Sequence, residues 1–193
     1  MKAFIGFVAL AIAAAPALLA GEIHGTVTCQ GAQDNSNAVV YVDSIAGKTF
    51  PAPSKHAVMN QENMAFSPHV LPVVVGTTVD FLNHDNVLHN VFTPSACAGH
   101  FNLGTWAKGQ RRSYTFKEPC FATLLCMIHP EMEGYVAAVP TPYFAVTSGN
   151  GSYTIKNVPD GSYTLKVWHP TLKAAQKPVT VKGSTEVNFT LAQ

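Results

Sequence analysis

The sequence predicts an all-β protein. Alternating apolar and polar residues, the pattern of half-buried strands, recur in short runs at residues 73–81, 113–116, 153–155 and 163–167. Turn-forming residues separate such runs at short intervals, and the chain contains 14 glycines and 13 prolines. Helical character is confined to a short stretch at about residues 54–65. Many short strands joined by turns are typical of β-sandwiches, which is the architecture we expect.

The composition excludes several classes of protein. Of 193 residues, 47% are hydrophobic and 12% are charged, which is typical of a globular chain and excludes a disordered or collagen-like one. The formal net charge is +1 and the basic residues form no cluster, so a nucleic-acid partner is not expected. After the N-terminal segment, no apolar run is long enough to span a bilayer.

The first twenty residues are predicted to be a secretory signal peptide. Lys2 precedes an apolar run over residues 3–15, and small residues close the segment at Ala20. A transmembrane helix is the alternative, but Pro16 and the small-residue end favour cleavage. We therefore expect residues 21–193 to be periplasmic or secreted, with a net charge of zero because Lys2 is removed.

A short repeat lies near the C-terminus. The sequence GSYTIK at residues 151–156 returns as GSYTLK at residues 161–166. Between them, VPDG at residues 158–161 is a turn, in which proline fixes one φ and glycine is free to adopt a positive one. We expect the two copies to be neighbouring strands. With the strands that flank it, this stretch resembles the carboxypeptidase regulatory-like domain, a small transthyretin-like β-sandwich, over about residues 143–193.

The two opening strands of that family are missing from this stretch. Similar sequences occur much earlier in the chain, GTVT at residues 25–28 and AVVYV at residues 38–42. This predicts one discontinuous sandwich made of residues 21–48 and 141–193, with residues 49–140 inserted between them. The alternative is two tandem domains, in which the N-terminal hairpin belongs to the middle one.

The middle segment contains a candidate metal site. Cys126, His129 and Met132 stand three residues apart in the sequence CMIHPEM. A thiolate, an imidazole and a weak axial thioether, completed by a second imidazole, are the ligands of a type 1 (blue) copper site. His89 is the expected second imidazole because it opens an alternating run, whereas His84 lies in the turn sequence NHDN.

Several motifs of the middle segment together resemble the cupredoxins, in particular the short-loop amicyanin-like and plastocyanin-like proteins, over about residues 58–139. The matching motifs are Phe66-x-Pro68, Gly76-x-x-Val79 leading to Asn83, His89-Asn90-Val91 and Cys126-x-x-His129-x-x-Met132. The resemblance implies a Greek-key β-sandwich that holds one copper ion, with His89, Cys126 and His129 as strong ligands and Met132 as the axial one. It also implies that Asn90 ties the His89 loop to the ligand loop by hydrogen bonds.

Other interpretations of these residues fit less well. A zinc site would favour a further thiolate or imidazole in place of the thioether. A nucleophilic cysteine needs, besides its histidine, a third group that orients the histidine, and the sequence does not provide one. Glu131 and Glu133 flank Met132 and remain alternative axial ligands. The other histidines are expected at the surface or in hydrogen bonds: His24, His56, His69, His84, His100 and His169.

The remaining cysteines favour a disulfide, because the chain is expected to reach an oxidising compartment. Cys97 lies eight residues after His89, and Cys120 lies six residues before Cys126. At about 3.3 Å per residue, both are then roughly 20–26 Å from the copper end. We expect a Cys97–Cys120 disulfide at the opposite pole and a buried thiol at Cys29.

The cupredoxin resemblance implies a protein that carries one electron between redox partners and is not an enzyme. In that family the histidine of the ligand loop reaches the surface through an apolar patch, which here would include Leu88, Met127 and Pro130 around His129. A redox protein is expected to dock there through a small, transient interface. The alternative is a copper-handling or envelope-structural protein, for which the metal is cargo or a staple. A multicopper oxidase would need His-x-His pairs, and the sequence has none.

Overall fold

The computed structural model describes residues 20–193, in which it contains seventeen β-strands and one turn of 3-10 helix at Ala96–Ala98. The strands are β1 (Ala20–Cys29), β2 (Val39–Val42), β3 (Ala57–Glu62), β4 (Ala65–Ser67), β5 (Val70–Val74), β6 (Thr78–Asn83), β7 (His89–Phe92), β8 (Asn102–Trp106), β9 (Arg111–Thr115), β10 (Cys120–Leu125), β11 (Glu133–Val139), β12 (Phe144–Val146), β13 (Ser152–Pro159), β14 (Gly161–Trp168), β15 (Ala175–Val181), β16 (Ser184–Glu186) and β17 (Phe189–Leu191). The all-β prediction is confirmed. The helical character expected near residues 54–65 is wrong, because β3 and β4 form a hairpin there and bury Met59 and Phe66.

The predicted signal peptide lies outside the described residues, apart from its last residue. That residue, Ala20, begins β1 and pairs with Pro159 of β13. Within residues 20–193, no helix is long and apolar enough to cross a membrane.

Strands from both ends of the described chain form the first sandwich. One sheet has the order β13-β1-β16, with β17 also pairing with β1, and the other has the order β12-β2-β14-β15. The facing sides of the two sheets bury an apolar core that includes Ile23, Val40, Ile155, Leu165 and Phe189. Apolar burial of this kind is the main stabilising contribution to a two-sheet fold.

The chain leaves the first sandwich after β2 and returns to it before β12 at one place. The Val42 N–H donates to the carbonyl of Tyr143 at 2.9 Å. The Thr141 hydroxyl donates to the carbonyl of Val42 at 2.6 Å. The segment between β2 and β12 therefore has its first and last residues close together.

The segment between these junctions forms the second sandwich. Its sheets have the orders β5-β11-β10-β7-β8 and β4-β3-β6-β9. Two strand pairs are parallel, β3 with β6 and β5 with β11, and the others are antiparallel. Phe81, Trp106, Phe116 and Leu124 lie in its core. The described chain thus consists of two β-sandwiches, as the sequence predicts.

The two sandwiches share an apolar interface. Strand β11 is buried on both faces, because alternate residues join the second core and the interface. The rings of Phe121 in β10 and Trp168 in β14 stack across the interface, with centroids 4.7 Å apart. The buried interface side chains are Val39, Tyr41, Val70, Tyr135, Ala137 and Val139. Each sandwich therefore shields apolar surface of the other.

The two copies of the C-terminal repeat are not paired strands, so this prediction is wrong. The first copy lies in β13 and pairs with β1, whereas the second lies in β14 and pairs with β2 and β15. Ile155 and Leu165, which occupy matching positions in the repeat, both lie in the first core. The two copies fill one core from opposite sheets, which requires the same alternation in each.

The predicted disulfide between Cys97 and Cys120 is confirmed, with the Cα atoms 5.5 Å apart. Cys97 lies in the 3-10 turn, and Cys120 begins β10, which ends just before Cys126. The bridge therefore lies at the end of β10 opposite to Cys126. Cys29 is a buried free thiol. Burial raises the pKa of this thiol, and the nearby charge of Asp34 raises it further.

Candidate metal centre

Three candidate ligands lie at adjoining strand ends in the second sandwich. His89 begins β7, and Cys126 directly follows β10. The two strands are antiparallel neighbours, so the start of β7 lies beside the loop that connects β10 to β11. That loop carries His129 as well as Cys126.

The side chains of these three residues converge. One ligand atom from each lies within 4.8 Å of the others, and within residues 20–193 they are the only such group of three or more His, Cys, Asp or Glu side chains. His129 Nδ1 lies 3.1 Å from His89 Nδ1 and 3.9 Å from Cys126 Sγ. His89 is 0% and Cys126 is 3% exposed, whereas His129 is half-buried. Of the three, only the His129 imidazole is partly open to solvent.

The fourth predicted ligand, Met132, is 1% exposed and lies in the same core as Cys126. Its backbone N–H donates to the carbonyl of His129 at 3.0 Å, which closes the ligand loop. Glu131 and Glu133 are exposed and do not belong to the converging group. This burial favours the thioether over either carboxylate as a neighbour of the site.

Asp85 fixes the orientation of His89. Its Oδ2 lies 2.9 Å from His89 Nε2, and its two oxygens accept backbone hydrogen bonds from Asn63 at 2.8 Å and Met64 at 3.0 Å. Partial burial by itself would raise the pKa of Asp85, but the hydrogen bonds from Met64, His89 and Asn63 outweigh it and lower the pKa. An ionised Asp85 keeps the imidazole proton on Nε2. The lone pair of Nδ1 is therefore directed at the other two ligands.

Asn90 connects the start of β7 to the ligand loop. Its backbone N–H donates to Cys126 Sγ at 3.4 Å. Its side-chain Oδ1 accepts from the Met127 N–H at 3.3 Å, and its Nδ2 donates to Asn102 Oδ1 at 2.9 Å and to the Gly104 carbonyl at 2.7 Å. An N–H donated to sulfur stabilises the thiolate, and the side-chain bonds hold the loop in place.

Three residues of this network are not identified by the sequence patterns above. The turn sequence around Asp85 indicates only a turn residue there, although a carboxylate four residues before His89 is a usable signal. Gln61 is fully buried in β3 and donates from Nε2 to the Asn90 carbonyl at 3.1 Å. Gln61 and Asn102 lie in strands distant in sequence, so only the tertiary structure shows their contacts. His84, the competitor of His89, is exposed and outside the converging group.

Exposed apolar side chains adjoin the converging ligands. Val87 and Leu88, which directly precede the candidate ligand His89, are 43% and 52% exposed. Met127 and Ile128, which lie between the other two ligands, are 66% and 44% exposed. We call these four residues the apolar rim. Pro130, expected in the same patch, is also exposed. Clustered apolar exposure is typical of a contact surface.

One family model matches the chain, that of the carboxypeptidase regulatory-like domain, over residues 135–192. The match begins within β11 and extends through β17. It confirms the resemblance expected for the C-terminal strands. Among curated protein sequences, none matches the chain.

Several solved structures are similar to part of the chain. A copper-containing nitrite reductase (NirK) from Thermus scotoductus SA-01 is 24% identical, with a TM-score of 0.44, over 52% of this chain and 25% of that chain. A reduced variant of amicyanin is 26% identical, with a TM-score of 0.42, over 51% of this chain and 97% of that chain. A purple cupredoxin from Nitrosopumilus maritimus is 27% identical, with a TM-score of 0.39, over 42% of this chain and 98% of that chain. This chain spans only a quarter of the nitrite reductase. The resemblance to cupredoxins noted in the sequence is thus also found among solved structures.

Proposed function

We propose that this chain is an exported type 1 copper protein that carries one electron between redox partners. The observation that supports the proposal is the convergence of one thiol and two imidazole nitrogens within 4.8 Å of one another. The thiol and one imidazole are buried, which is costly for polar groups unless they are paired or bind a metal.

The donor set fits copper better than other metals. Two imidazoles, a thiolate and a weak axial thioether form a blue-copper set, whereas structural zinc sites take four strong ligands. We therefore assign His89, Cys126 and His129 as the strong ligands of one copper ion. Met132 is the proposed axial ligand, because it is buried in the same core as Cys126.

The chain supplies a rigid frame for these donors. Bound copper would supply the redox chemistry by cycling between Cu(II) and Cu(I). Asp85 orients His89, Asn90 bonds to the Cys126 sulfur, and the Met132 N–H closes the loop. Ligands held in this way move little when the charge at the site changes, and burial excludes water. Because four protein ligands leave no position for a substrate, we infer a carrier and not an enzyme.

His129 is the proposed route by which the electron enters and leaves. It is the one strong ligand that is partly exposed, and the apolar rim adjoins it in sequence. A redox protein would dock there through a small apolar contact that releases quickly. The mature chain has a net charge of zero, so long-range steering of that partner would be weak.

Export and domain organisation are part of the proposal. Residues 1–20 would direct the chain to the periplasm or the exterior, and the Cys97–Cys120 disulfide supports an oxidising compartment. We propose that residues 49–140 are inserted into one sandwich formed by residues 21–48 and 141–193. The side-by-side junctions at the end of β2 and just before β12 support this, since an insertion needs neighbouring ends.

Copper titration of the metal-free full chain tests the proposal. One equivalent of Cu(II) should give intense visible absorption from thiolate-to-copper charge transfer and a type 1 electron paramagnetic resonance spectrum. Cys126→Ser should abolish the absorption. Cys29→Ser is the matched control, because Cys29 lies in the other sandwich, and it should keep the absorption. Absorption that survives in Cys126→Ser would place the metal elsewhere.

A further inference from the structure

Met127 differs from the other methionines of the described chain in its exposure. Met59 and Met132 are 0% and 1% exposed and Met64 is partly buried, whereas Met127 is 66% exposed. Oxidation of a thioether requires contact with the oxidant, so susceptibility follows exposure. Among residues 20–193, Met127 is therefore the methionine most open to oxidants in solution.

The sulfur of Met127 also has a specific partner. Asn102 Nδ2 donates to Met127 Sδ at 3.3 Å. The other end of the same amide, Asn102 Oδ1, accepts from Asn90 Nδ2 and from the Gly104 N–H, each at 2.9 Å. These two bonds fix which end of the amide faces the sulfur. Asn102 therefore keeps an N–H directed at the Met127 thioether.

We propose that Met127 is a site of oxidation by hydroperoxides, and that Asn102 holds the sulfoxide formed there. The sulfur lone pair attacks the terminal oxygen of the hydroperoxide, so that an S–O bond forms as the O–O bond breaks. Sulfur loses two electrons, and the hydroperoxide is reduced to an alcohol, or to water from hydrogen peroxide, with its own proton on the leaving oxygen. The sulfoxide oxygen is a much stronger acceptor than a thioether, so it takes the Asn102 N–H.

Oxidation changes the surface on which the proposed partner docks, a consequence that rests on the proposed function. Met127 is the most exposed member of the apolar rim, and its sulfoxide is polar. A polar group within a small apolar contact must lose water on docking without a matched partner, which weakens the contact. Met132 and Cys126 are 1% and 3% exposed, so the folded chain shields both of these sulfur atoms from the oxidant.

Peptide mass mapping of the metal-free full chain treated with tert-butyl hydroperoxide tests the modification. Met127 should gain one oxygen at least about tenfold faster than Met59 and Met132, with Met64 between them. In the same sample, the side-chain amide resonance of Asn102 should shift as Met127 is oxidised. Equal rates at Met127 and Met132 would overturn the assignment of the site, and an unmoved Asn102 resonance would overturn its role.

Electron self-exchange between two copies of the copper-loaded protein tests the consequence. Oxidised protein, and the polar mimic Met127→Gln, should exchange electrons several-fold more slowly than untreated protein. Met127→Leu, which cannot form a sulfoxide, should lose the response to peroxide. Unchanged self-exchange after complete oxidation of Met127 would refute the docking effect. Failure of the proposed function would appear instead as missing visible absorption, while the mass mapping, which needs no copper, would still report on Met127.

Discussion

The Cys97–Cys120 disulfide closes a loop that contains β8 and β9, at the end of β10 opposite to the proposed copper ligands. Replacing both cysteines with alanine releases this constraint on the unfolded chain. For the sequence separation of 23 residues, the chain-entropy model gives a loss of about 3 kcal/mol in the free energy of unfolding at 25 °C. Lost packing should add little, because Cys97 is exposed and alanine keeps the Cβ of the buried Cys120.

Urea unfolding of the metal-free protein measures this loss without the added stabilisation of a bound metal. Fluorescence of Trp106 in the second core and Trp168 at the interface follows both sandwiches. The double variant should unfold at lower urea and, when folded, keep the copper absorption of the wild type. Cys29→Ala, which removes a free buried thiol, is the matched control and should cost no more than about 1 kcal/mol. A double variant as stable as the wild type, or one that loses its copper absorption, would refute this reasoning.

Three further outcomes are expected. Asp85→Asn should weaken copper binding about 10- to 100-fold in competition with a chelator, because His89 loses its orienting carboxylate; unchanged affinity would contradict that role. Met132→Leu should keep the visible absorption and raise the reduction potential in a redox titration, since the axial donor only modulates the metal; loss of copper would mean that Met132 is structural to the site or that Glu131 or Glu133 is the fourth ligand. A fragment of residues 49–140 should fold and bind copper, and one of residues 143–193 should remain unfolded by circular dichroism because it lacks two strands; a folded C-terminal fragment would favour tandem domains.

The convergence of His89, Cys126 and His129 could be predicted because local sequence largely determines it. Cys126 and His129 share one short loop with Met132, and the spacing of the first two alone brings their donor atoms near one another. His89 required only that a strand should begin there, which the alternation after it indicates. The hydrogen-bond network that supports these candidate ligands is harder to predict from the sequence. Gln61 and Asn102 act through contacts that depend on how strands distant in sequence pack, and single-sequence patterns carry no information on that register.

The pairing of strands was less predictable than their existence. Alternation shows which side of a strand is buried but not to which sheet the strand belongs. Two repeat copies joined by a turn therefore have the same sequence pattern as the two strands of a hairpin. In the structure, Ile155 and Leu165 meet in one core from opposite sheets. The helical character expected near residues 54–65 is wrong for a related reason. A short hairpin, with Asn63 and Met64 in the left-handed region, interrupts the alternation of apolar and polar residues there.

The place of the first sandwich bears on how the proposed carrier would meet its partner. It packs against side chains of β5, β10 and β11, which form one side of the second sandwich, and it leaves the apolar rim exposed. Domains joined by a small polar contact move independently, whereas an apolar interface that buries one whole face of β11 holds them together. The first sandwich would therefore keep a fixed position relative to the proposed docking surface. Residues 21–193 carry a formal net charge of zero, so the fit of a partner to this fixed shape would contribute more to selectivity than charge would.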